Sequence, residues 1–275
     1  MATGDVALSL AIRQNLLSNK ATARQIEETS IRLGSGRKVN SAVDNVSSFF
    51  GARALNTRAG DLSRIQDAMG QAIQTLKATD QALSAATSVI EQMQAIAREA
   101  FEQAGASGGA PADQASLVAS FNELRTQLDN LTNDAGYRGV NLLRGSDLTV
   151  TFNEGGTSTL TISGVDFTAA ADLDITAATF TNAAGAQTTL DELSDALDLV
   201  RGQSRVFSTN LTVIQTRQAF TENLINTLRE GSDKLTLADS DEEGANLVAL
   251  QTRQQLGVAA LSLAAQSQQS VLRLF

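Results

Sequence analysis

The chain contains no cysteine, no histidine and no tryptophan, and it has one proline, Pro111, among 275 residues. Without cysteine it has no disulfide and no thiolate, and without histidine it lacks the commonest metal ligand and the usual near-neutral general base. Proline interrupts helices more strongly than any other residue. These absences predict a protein that is not an enzyme and has no cofactor, and they favour long helices.

The charge and hydropathy of the chain also exclude several classes of partner. The net charge is −9, which argues against a nucleic-acid or anionic-membrane binder. No stretch reaches the roughly 20 apolar residues of a membrane-spanning helix, and residues 1–5 lack the features of a cleaved signal peptide. We expect either a cytoplasmic protein or one exported without a cleaved signal.

Apolar residues follow a seven-residue repeat over three long stretches. The first runs from Leu62 to Ala100, with Thr79 as the one interruption, and predicts a helix over residues 60–104. A glycine-rich break at 105–109 and a restart at Pro111 predict a second helix running back beside it. The repeat returns between Leu190 and Leu235. The predicted fold is mainly α: a long, coiled-coil-like antiparallel helical bundle.

The spacing changes from seven to two between the second and third helical stretches. Leu148, Val150 and Phe152 alternate with threonines, residues 153–156 have a turn composition, and Leu160 and Ile162 alternate again. This pattern predicts a β-hairpin. We interpret the following residues, to about 185, as a small, loosely specified β-rich outer segment.

Both ends of the chain are amphipathic and have few other residues to pack against. A capping box at Ser240–Glu243 predicts the start of the last helix. Each apolar stripe alone is too narrow for a stable core. We therefore predict that the terminal helices pair with each other and with copies in neighbouring subunits. The residues predicted to pack there are Leu8, Ile12, Leu16, Ile26, Leu33, Leu247, Leu250, Val258, Leu261, Val271, Leu272 and Phe275.

Two short motifs mimic ligand sites. Residues 34–38 combine two glycines with Lys38 as a phosphate loop does, but they lack the preceding strand and the Gly-Lys-Ser/Thr ending. Residues 239–244 resemble the opening of a calcium loop, but its twelfth position, which should carry a bidentate glutamate, is Leu250. A glycine break between helices and an acidic helix N-terminus explain the two motifs better.

Three stretches of the chain resemble bacterial flagellins, the subunits of the flagellar filament. Residues 33–45 are similar to the flagellin sequence written SSGLRINSAKDD, residues 136–143 to FNGxNLL, and residues 254–272 to the flagellin C-terminus. Their order and their positions near both termini carry the resemblance. The matching positions in the first two stretches are Arg37, Asn40, Ser41, Asp44, Gly139, Asn141, Leu142 and Leu143.

The resemblance implies a three-part organisation. Residues 1–40 and 239–275 would form the inner core of a filament, residues 41–147 and 186–238 a helical bundle with its hairpin, and residues 148–185 a small variable outer segment. It also implies a homo-oligomeric, extracellular helical filament used for swimming. The implied partners are the flagellar export apparatus, an export chaperone, and the filament-cap and hook-junction proteins.

The resemblance also covers a segment that an animal immune receptor recognises in some flagellins, written LQRVRELA. Residues 93–100 correspond to it, with Ala95 and Glu99 in place of the arginine and the leucine. Ala95 removes the cation of the motif, and Glu99 places a charge where the motif has an apolar contact. Both changes predict weak or absent recognition by that receptor.

Three other functions compete with the filament subunit. A hook-filament junction protein shares flagellin-like termini but is needed in few copies. A hydrolase that uses Ser/Lys or paired carboxylates needs no histidine, although the sequence indicates no convergent pocket. A cytoplasmic coiled-coil scaffold would leave the matching termini unexplained.

Overall fold

The computed structural model describes the backbone of residues 10–105 and 111–272, and the side chains of residues 12–104 and 113–267. Within these ranges the chain is mainly α-helical, and the fold class predicted from the sequence is confirmed. The elements are α1 (Leu10–Ser35), α2 (Val46–Gly105), α3 (Pro111–Asp134), β1 (Leu148–Thr151), β2 (Thr159–Ile162), α4 (Ala183–Thr236) and α5 (Ser240–Leu272).

The chain divides into two compact units. One comprises Met1–Thr57 with Thr227–Phe275, and the other comprises Arg58–Asn226. The first therefore takes α1, α5, the first turns of α2 and the last turns of α4. The three-part division expected from the flagellin resemblance stays a prediction.

Helix α2 begins well before the predicted start near Gly60. Asn45 caps it, because its side-chain oxygen accepts a hydrogen bond from the Ser48 N–H at 2.9 Å. Further along, Ala52 and Ala59 are buried at a spacing of one heptad, so the apolar repeat continues upstream of Leu62 in small residues. Alanine is too common on exposed helix faces to reveal such a start from the sequence.

The core of the second unit follows the predicted heptads. Thr79, the predicted interruption, is also buried, and its hydroxyl donates to the Thr75 carbonyl at 2.9 Å, so it needs no other partner. The largest fully buried side chains are Phe121, Phe167, Phe180, Phe207, Met69, Leu76, Leu83, Ile90, Met93, Leu128, Leu142 and Leu143.

The predicted β-hairpin is present as β1 and β2. The strands are antiparallel, with Leu148 opposite Ile162 and Val150 opposite Leu160. Val150 and Ile162 are buried while Thr149, Thr159 and Thr161 are exposed, as expected for one covered face. In the turn, the side-chain oxygen of Asn153 accepts the Ser158 N–H at 3.0 Å.

Residues 163–182, which we call the strap, contain no strand and are nevertheless packed. Side chains of α3 bind the backbone of the strap: Asp129 accepts the Ala169 N–H at 2.7 Å, and Arg125 donates to the Ile175 carbonyl at 2.9 Å. Phe180 is fully buried, with its ring edge-to-face on Phe121 at 5.4 Å. Regular β structure in the predicted β-rich segment is thus confined to the hairpin.

Candidate self-assembly surface of the terminal helices

Helices α1 and α5 pack against each other as an antiparallel pair. The side chain of Asn19 lies directly against Gly257, and the Arg32 guanidinium is 3.4 Å from a Glu243 carboxylate oxygen. Residue numbers rise along α1 while they fall along α5, so both contacts belong to one antiparallel register. The sequence-based prediction that the two ends pair is consistent with this arrangement.

The seam between α1 and α5 is narrow and half polar. The buried or half-buried positions of α1 are Ile12, Asn19, Thr22, Ile26, Thr29 and Arg32. Those of α5 are Glu243, Gly244, Leu247, Leu250, Gln254, Gly257, Leu261 and Ala264. Because few large apolar side chains meet there, the seam alone stabilises the pair weakly. The polar and glycine positions repeat with the same spacing as the leucines, a signal that a search restricted to apolar residues misses.

The residues predicted to pack at the chain ends fall into two groups. Ile12 is buried, and Ile26, Leu247, Leu250 and Leu261 are half-buried in the seam. The exposed ones are Leu16, Leu33 and Val258, at 52%, 38% and 58% relative accessibility. Leu8 and Phe275 lie outside the described residues, as do the side chains of Val271 and Leu272, which belong to α5.

Further large apolar side chains lie on the outer faces of the same helices. They are Leu17 and Ile31 on α1 and Val248, Leu256 and Leu263 on α5, all more than half exposed. Leu256 and Leu263 are one heptad apart and are 67% and 68% exposed. A helix pair that has a half-polar seam and also exposes large apolar side chains on its outer faces has the pattern of a component of a larger bundle.

The segment that joins α1 to α2 is held by backbone pairing to the end of α4. Lys38 N–H donates to the Thr236 carbonyl at 2.8 Å, and Ala238 N–H donates to the Gly36 carbonyl at 3.0 Å. Arg37 forms an isolated antiparallel bridge with Leu237. Gly36 has a φ of 67°, which glycine adopts without strain and which this reversal requires.

Three of the flagellin-like positions, Asn40, Ser41 and Asp44, form a compact turn. The Asp44 carboxylate accepts hydrogen bonds from the backbone N–H of Ser41 at 2.8 Å and of Asn40 at 2.9 Å. It also accepts the Ser41 hydroxyl at 3.1 Å. These donors, with Arg32 nearby, lower the pKa of Asp44. All three residues are exposed, so they shape the turn without belonging to a core.

The acidic start of α5 is a helix cap. Asp239 side-chain oxygen accepts the backbone N–H of Asp241 at 3.0 Å and of Glu242 at 3.3 Å. The capping residue is therefore Asp239, one position before the predicted box at Ser240. Asp241, Glu242 and Glu243 occupy the first turn, where the helix dipole favours negative charge.

The four flagellin-like positions between 136 and 143 lie in the second unit, directly after α3. Arg138 and Gly139 both have positive φ, and Tyr137 and Val140 exchange two backbone hydrogen bonds around them. The Asn141 amide donates to the Thr132 and Asn133 carbonyls at 2.8 and 3.0 Å, satisfying groups that the helix end leaves unpaired. Leu142 and Leu143 are fully buried.

Ala95 and Glu99, the positions that correspond to the immune-receptor segment, are exposed on α2. Glu99 accepts a hydrogen bond from the Gln103 side chain at 3.3 Å. Both side chains are therefore accessible on the subunit surface. The expected weak recognition by the receptor stays a prediction.

Neither a membrane span nor a metal cluster is found within the described ranges. None of the helices there has an apolar stretch long enough to cross a bilayer. The same residues contain no group of three or more acidic side chains placed to hold a metal ion.

Paired terminal helices with exposed apolar faces are typical of a self-associating structural subunit. Comparison with known proteins defines the class more closely. The family described as the bacterial flagellin N-terminal helical region matches residues 6–147. Flagellin FljM of Caulobacter vibrioides is 30% identical, over 97% of this chain and 96% of its own length.

The comparison with a second flagellin gives the same result. The flagellin of Brucella melitensis is 29% identical, over 93% of both chains. The crystal structure of Bacillus cereus flagellin aligns with a TM-score of 0.49 at 18% identity, over 56% of this chain and 88% of that one. The chain belongs to the bacterial flagellin family. It is a structural subunit of the extracellular flagellar filament, and the junction-protein alternative is not favoured.

Proposed function

We propose that the chain polymerises through α1 and α5, and that the exposed apolar faces of this pair are buried against the same helices of neighbouring copies. The observation that carries the proposal is the distribution of apolar residues in the pair: its seam mixes a few leucines and isoleucines with threonine and asparagine, while further large apolar side chains such as Leu17, Leu256 and Leu263 are exposed. Burying one exposed leucine contributes about 1.5–3 kcal/mol. A few such side chains per subunit therefore outweigh the weak seam.

The contacts between copies must be heterologous for a filament to grow. A heterologous contact joins two different surfaces and propagates without closing, whereas an isologous contact stops at a dimer. In this scheme Leu256 and Leu263 of one copy pack on a different helix face of the next copy. The inner filament core would then consist of residues 1–40 and 239–275.

Family membership supports the remaining partners. The subunit would pass through the flagellar export apparatus with an export chaperone and would assemble beneath a cap, on top of the hook-junction proteins. Secretion into the medium by a cap-deficient strain, and retention by an export-deficient strain, would test this route. Equal secretion by both strains would contradict it.

A seeded elongation experiment tests assembly through α5. Purified chain carrying Leu256→Lys and Leu263→Lys is mixed with wild-type filament fragments, and filament length is measured by electron microscopy. The matched control carries Gln255→Lys and Ser262→Lys, which are exposed, are also one heptad apart and add the same charge. We expect at least a tenfold loss of elongation for the leucine pair and wild-type growth for the control. Normal growth of both pairs would contradict assembly through this face.

A further inference from the structure

The turn between α1 and α2 contains the dipeptide Asn40–Ser41, in which a side-chain amide is followed by a small residue. Asn40 is the only asparagine of the chain that is followed by serine, and none is followed by glycine. A small residue after asparagine lets its backbone nitrogen approach the side-chain amide carbon, which is the first step of deamidation. Both residues are exposed, so water reaches them. The sequence therefore favours deamidation at Asn40 more than at any other asparagine of the chain.

Deamidation makes two demands on this dipeptide. The Ser41 backbone nitrogen loses its proton and forms a bond to Asn40 Cγ, while the bond from Cγ to Nδ2 breaks and Nδ2 leaves as ammonia. Water then opens the cyclic imide at either of its carbonyl carbons and leaves aspartate or isoaspartate at position 40. No oxidant or reductant takes part. The reaction therefore requires a Ser41 N–H that is free to lose its proton and an Asn40 side chain that is free to turn toward it.

The folded turn restrains both of these groups. An Asp44 carboxylate oxygen accepts the Ser41 N–H at 2.8 Å and the Asn40 N–H at 2.9 Å, so the backbone on both sides of the Asn40 side chain is held. Asn40 Nδ2 donates to the Ser35 hydroxyl oxygen at 2.9 Å, which ties the leaving amide to the end of α1. The attacking nitrogen and the leaving nitrogen are thus each engaged in a hydrogen bond that the reaction must break.

Asp44 protects the dipeptide and does not act as its base. The pKa of this carboxyl group lies below its ordinary value, so its carboxylate is a weak base toward a backbone amide. Loss of the Ser41 proton would also place a second negative charge 2.8 Å from the carboxylate oxygen, and like charges at that distance repel each other. The carboxylate therefore stabilises the protonated amide and slows its attack.

We propose that Asn40–Ser41 is a latent deamidation site, which Asp44 and Ser35 keep unreactive while the turn is closed and which reacts when the turn opens. Exposed turns open locally at a lower free energy than the whole fold, so the site reports on this segment and not on global unfolding. The restraints belong to the single chain, and the inference does not depend on how copies assemble.

The product of the reaction does not fit the closed turn. The new carboxylate at position 40 repels Asp44, and isoaspartate adds a methylene carbon to the backbone next to Val39. Val39 is buried, and its N–H donates to the Thr236 carbonyl at 3.3 Å. Deamidation therefore makes the opening of the turn permanent and loosens the pairing between the α1–α2 segment and the end of α4.

Mass spectrometry of the aged protein tests the site. The full chain is incubated at mildly alkaline pH in heavy-oxygen water, which labels each new carboxyl group, either folded or unfolded in guanidinium chloride. It is then digested with trypsin in ordinary water. Asn45 lies in the same tryptic peptide and is the internal control, because the branched Val46 follows it. We expect labelling at Asn40 to be at least tenfold slower in the folded chain than in the unfolded chain.

Two variants test the restraints, with circular dichroism and the melting temperature as checks of the fold. We expect folded Asp44→Ala to label at Asn40 at least tenfold faster than the folded wild type, and Ser35→Ala to show a smaller increase. The matched control, Asp233→Ala, removes the same charge at an exposed position of α4 and should label at the wild-type rate.

Three outcomes would overturn the proposal. Equal labelling of the folded and unfolded wild type would show that the turn gives no protection. A folded Asp44→Ala variant that labels no faster than Asp233→Ala would show that the carboxylate does not restrain the reaction, and slower labelling would make Asp44 its base. If Asp44→Ala loses its fold, unchanged labelling of Ser35→Ala decides against the proposal.

Discussion

Asn19 of α1 fills the space that a side chain at position 257 of α5 would need. A Cβ built on Gly257 would collide with the Asn19 side chain, and Asn19 Nδ2 is buried without a hydrogen-bond partner among the described residues. An orphaned buried donor costs about 1–3 kcal/mol. The contact thus fixes the register of the α1–α5 pair while reducing its stability, as polar seam residues do in coiled coils.

A double-mutant cycle tests the coupling between these two residues. Gly257→Ala alone gains about 1 kcal/mol of helix propensity but must displace Asn19. In an Asn19→Ala background, Gly257→Ala no longer has to displace a side chain. We therefore expect Gly257→Ala to be more favourable by about 1 kcal/mol in that background than in the wild type. The readout is the free energy of opening of α1 and α5 from amide hydrogen exchange. Additivity within about 0.3 kcal/mol would show that the two positions act independently.

The strap of the second unit depends on Phe180. Its ring is fully buried against Phe121, and it keeps this position although its φ is 36°, an unfavourable value for a side chain of this size. We expect Phe180→Ala to reduce the free energy of unfolding by about 3–5 kcal/mol, measured in urea. Phe220→Ala, at a 60% exposed position, should cost less than about 1 kcal/mol. If Phe180→Ala reduced the free energy of unfolding no more than Phe220→Ala does, the strap would contribute little to stability.

The strap is a part of the fold that could not be predicted from the sequence. The heptads from Leu62 to Ala100 predicted a helix because burial there follows one period along one element. The strap has neither the helical nor the strand period, because its backbone is satisfied by α3 side chains such as Asn122, whose oxygen accepts the Ala178 N–H at 3.2 Å from 56 residues away. No local pattern records such a pairing.

The self-assembly surface of the terminal helices was only partly predictable, because local apolar spacing does not determine which residues are buried. Apolar spacing identified both terminal helices and several seam leucines. It could not decide which apolar residues face the seam, because Thr22 and Thr29 take buried positions while Leu16 stays exposed. The Thr22 hydroxyl donates to the Ser18 carbonyl at 3.0 Å, so the threonine can be buried without another partner.

Asn141 links the turn after α3 to the end of that helix. Its amide donates to two helix-end carbonyls, and its oxygen accepts the Leu143 N–H at 2.9 Å. We expect Asn141→Ala to lower the free energy of unfolding by about 2 kcal/mol. Asn141→Asp should cost at least as much, because the carboxylate replaces a donor facing carbonyl oxygens. Gln127→Ala, on the exposed face of α3, is the control. A loss for Asn141→Ala no larger than that of the control would contradict the capping role.

The turn at 40–44 should loosen in acid. Backbone N–H groups of Ser41 and Asn40 hold the pKa of Asp44 below its ordinary value. Because the folded-state pKa is the lower one, the stabilisation is complete above the unfolded value, near pH 4, and is lost as pH falls through the folded value. A carbon-13 titration of the Asp44 carboxyl group should give a midpoint below that of an aspartate in an unstructured peptide. In the wild type, acid should increase the amide exchange of Asn40 and Ser41 relative to the intrinsic exchange rate at each pH. Asp44→Asn should remove this increase. A midpoint at or above that of the peptide aspartate would show that these hydrogen bonds do not stabilise the carboxylate.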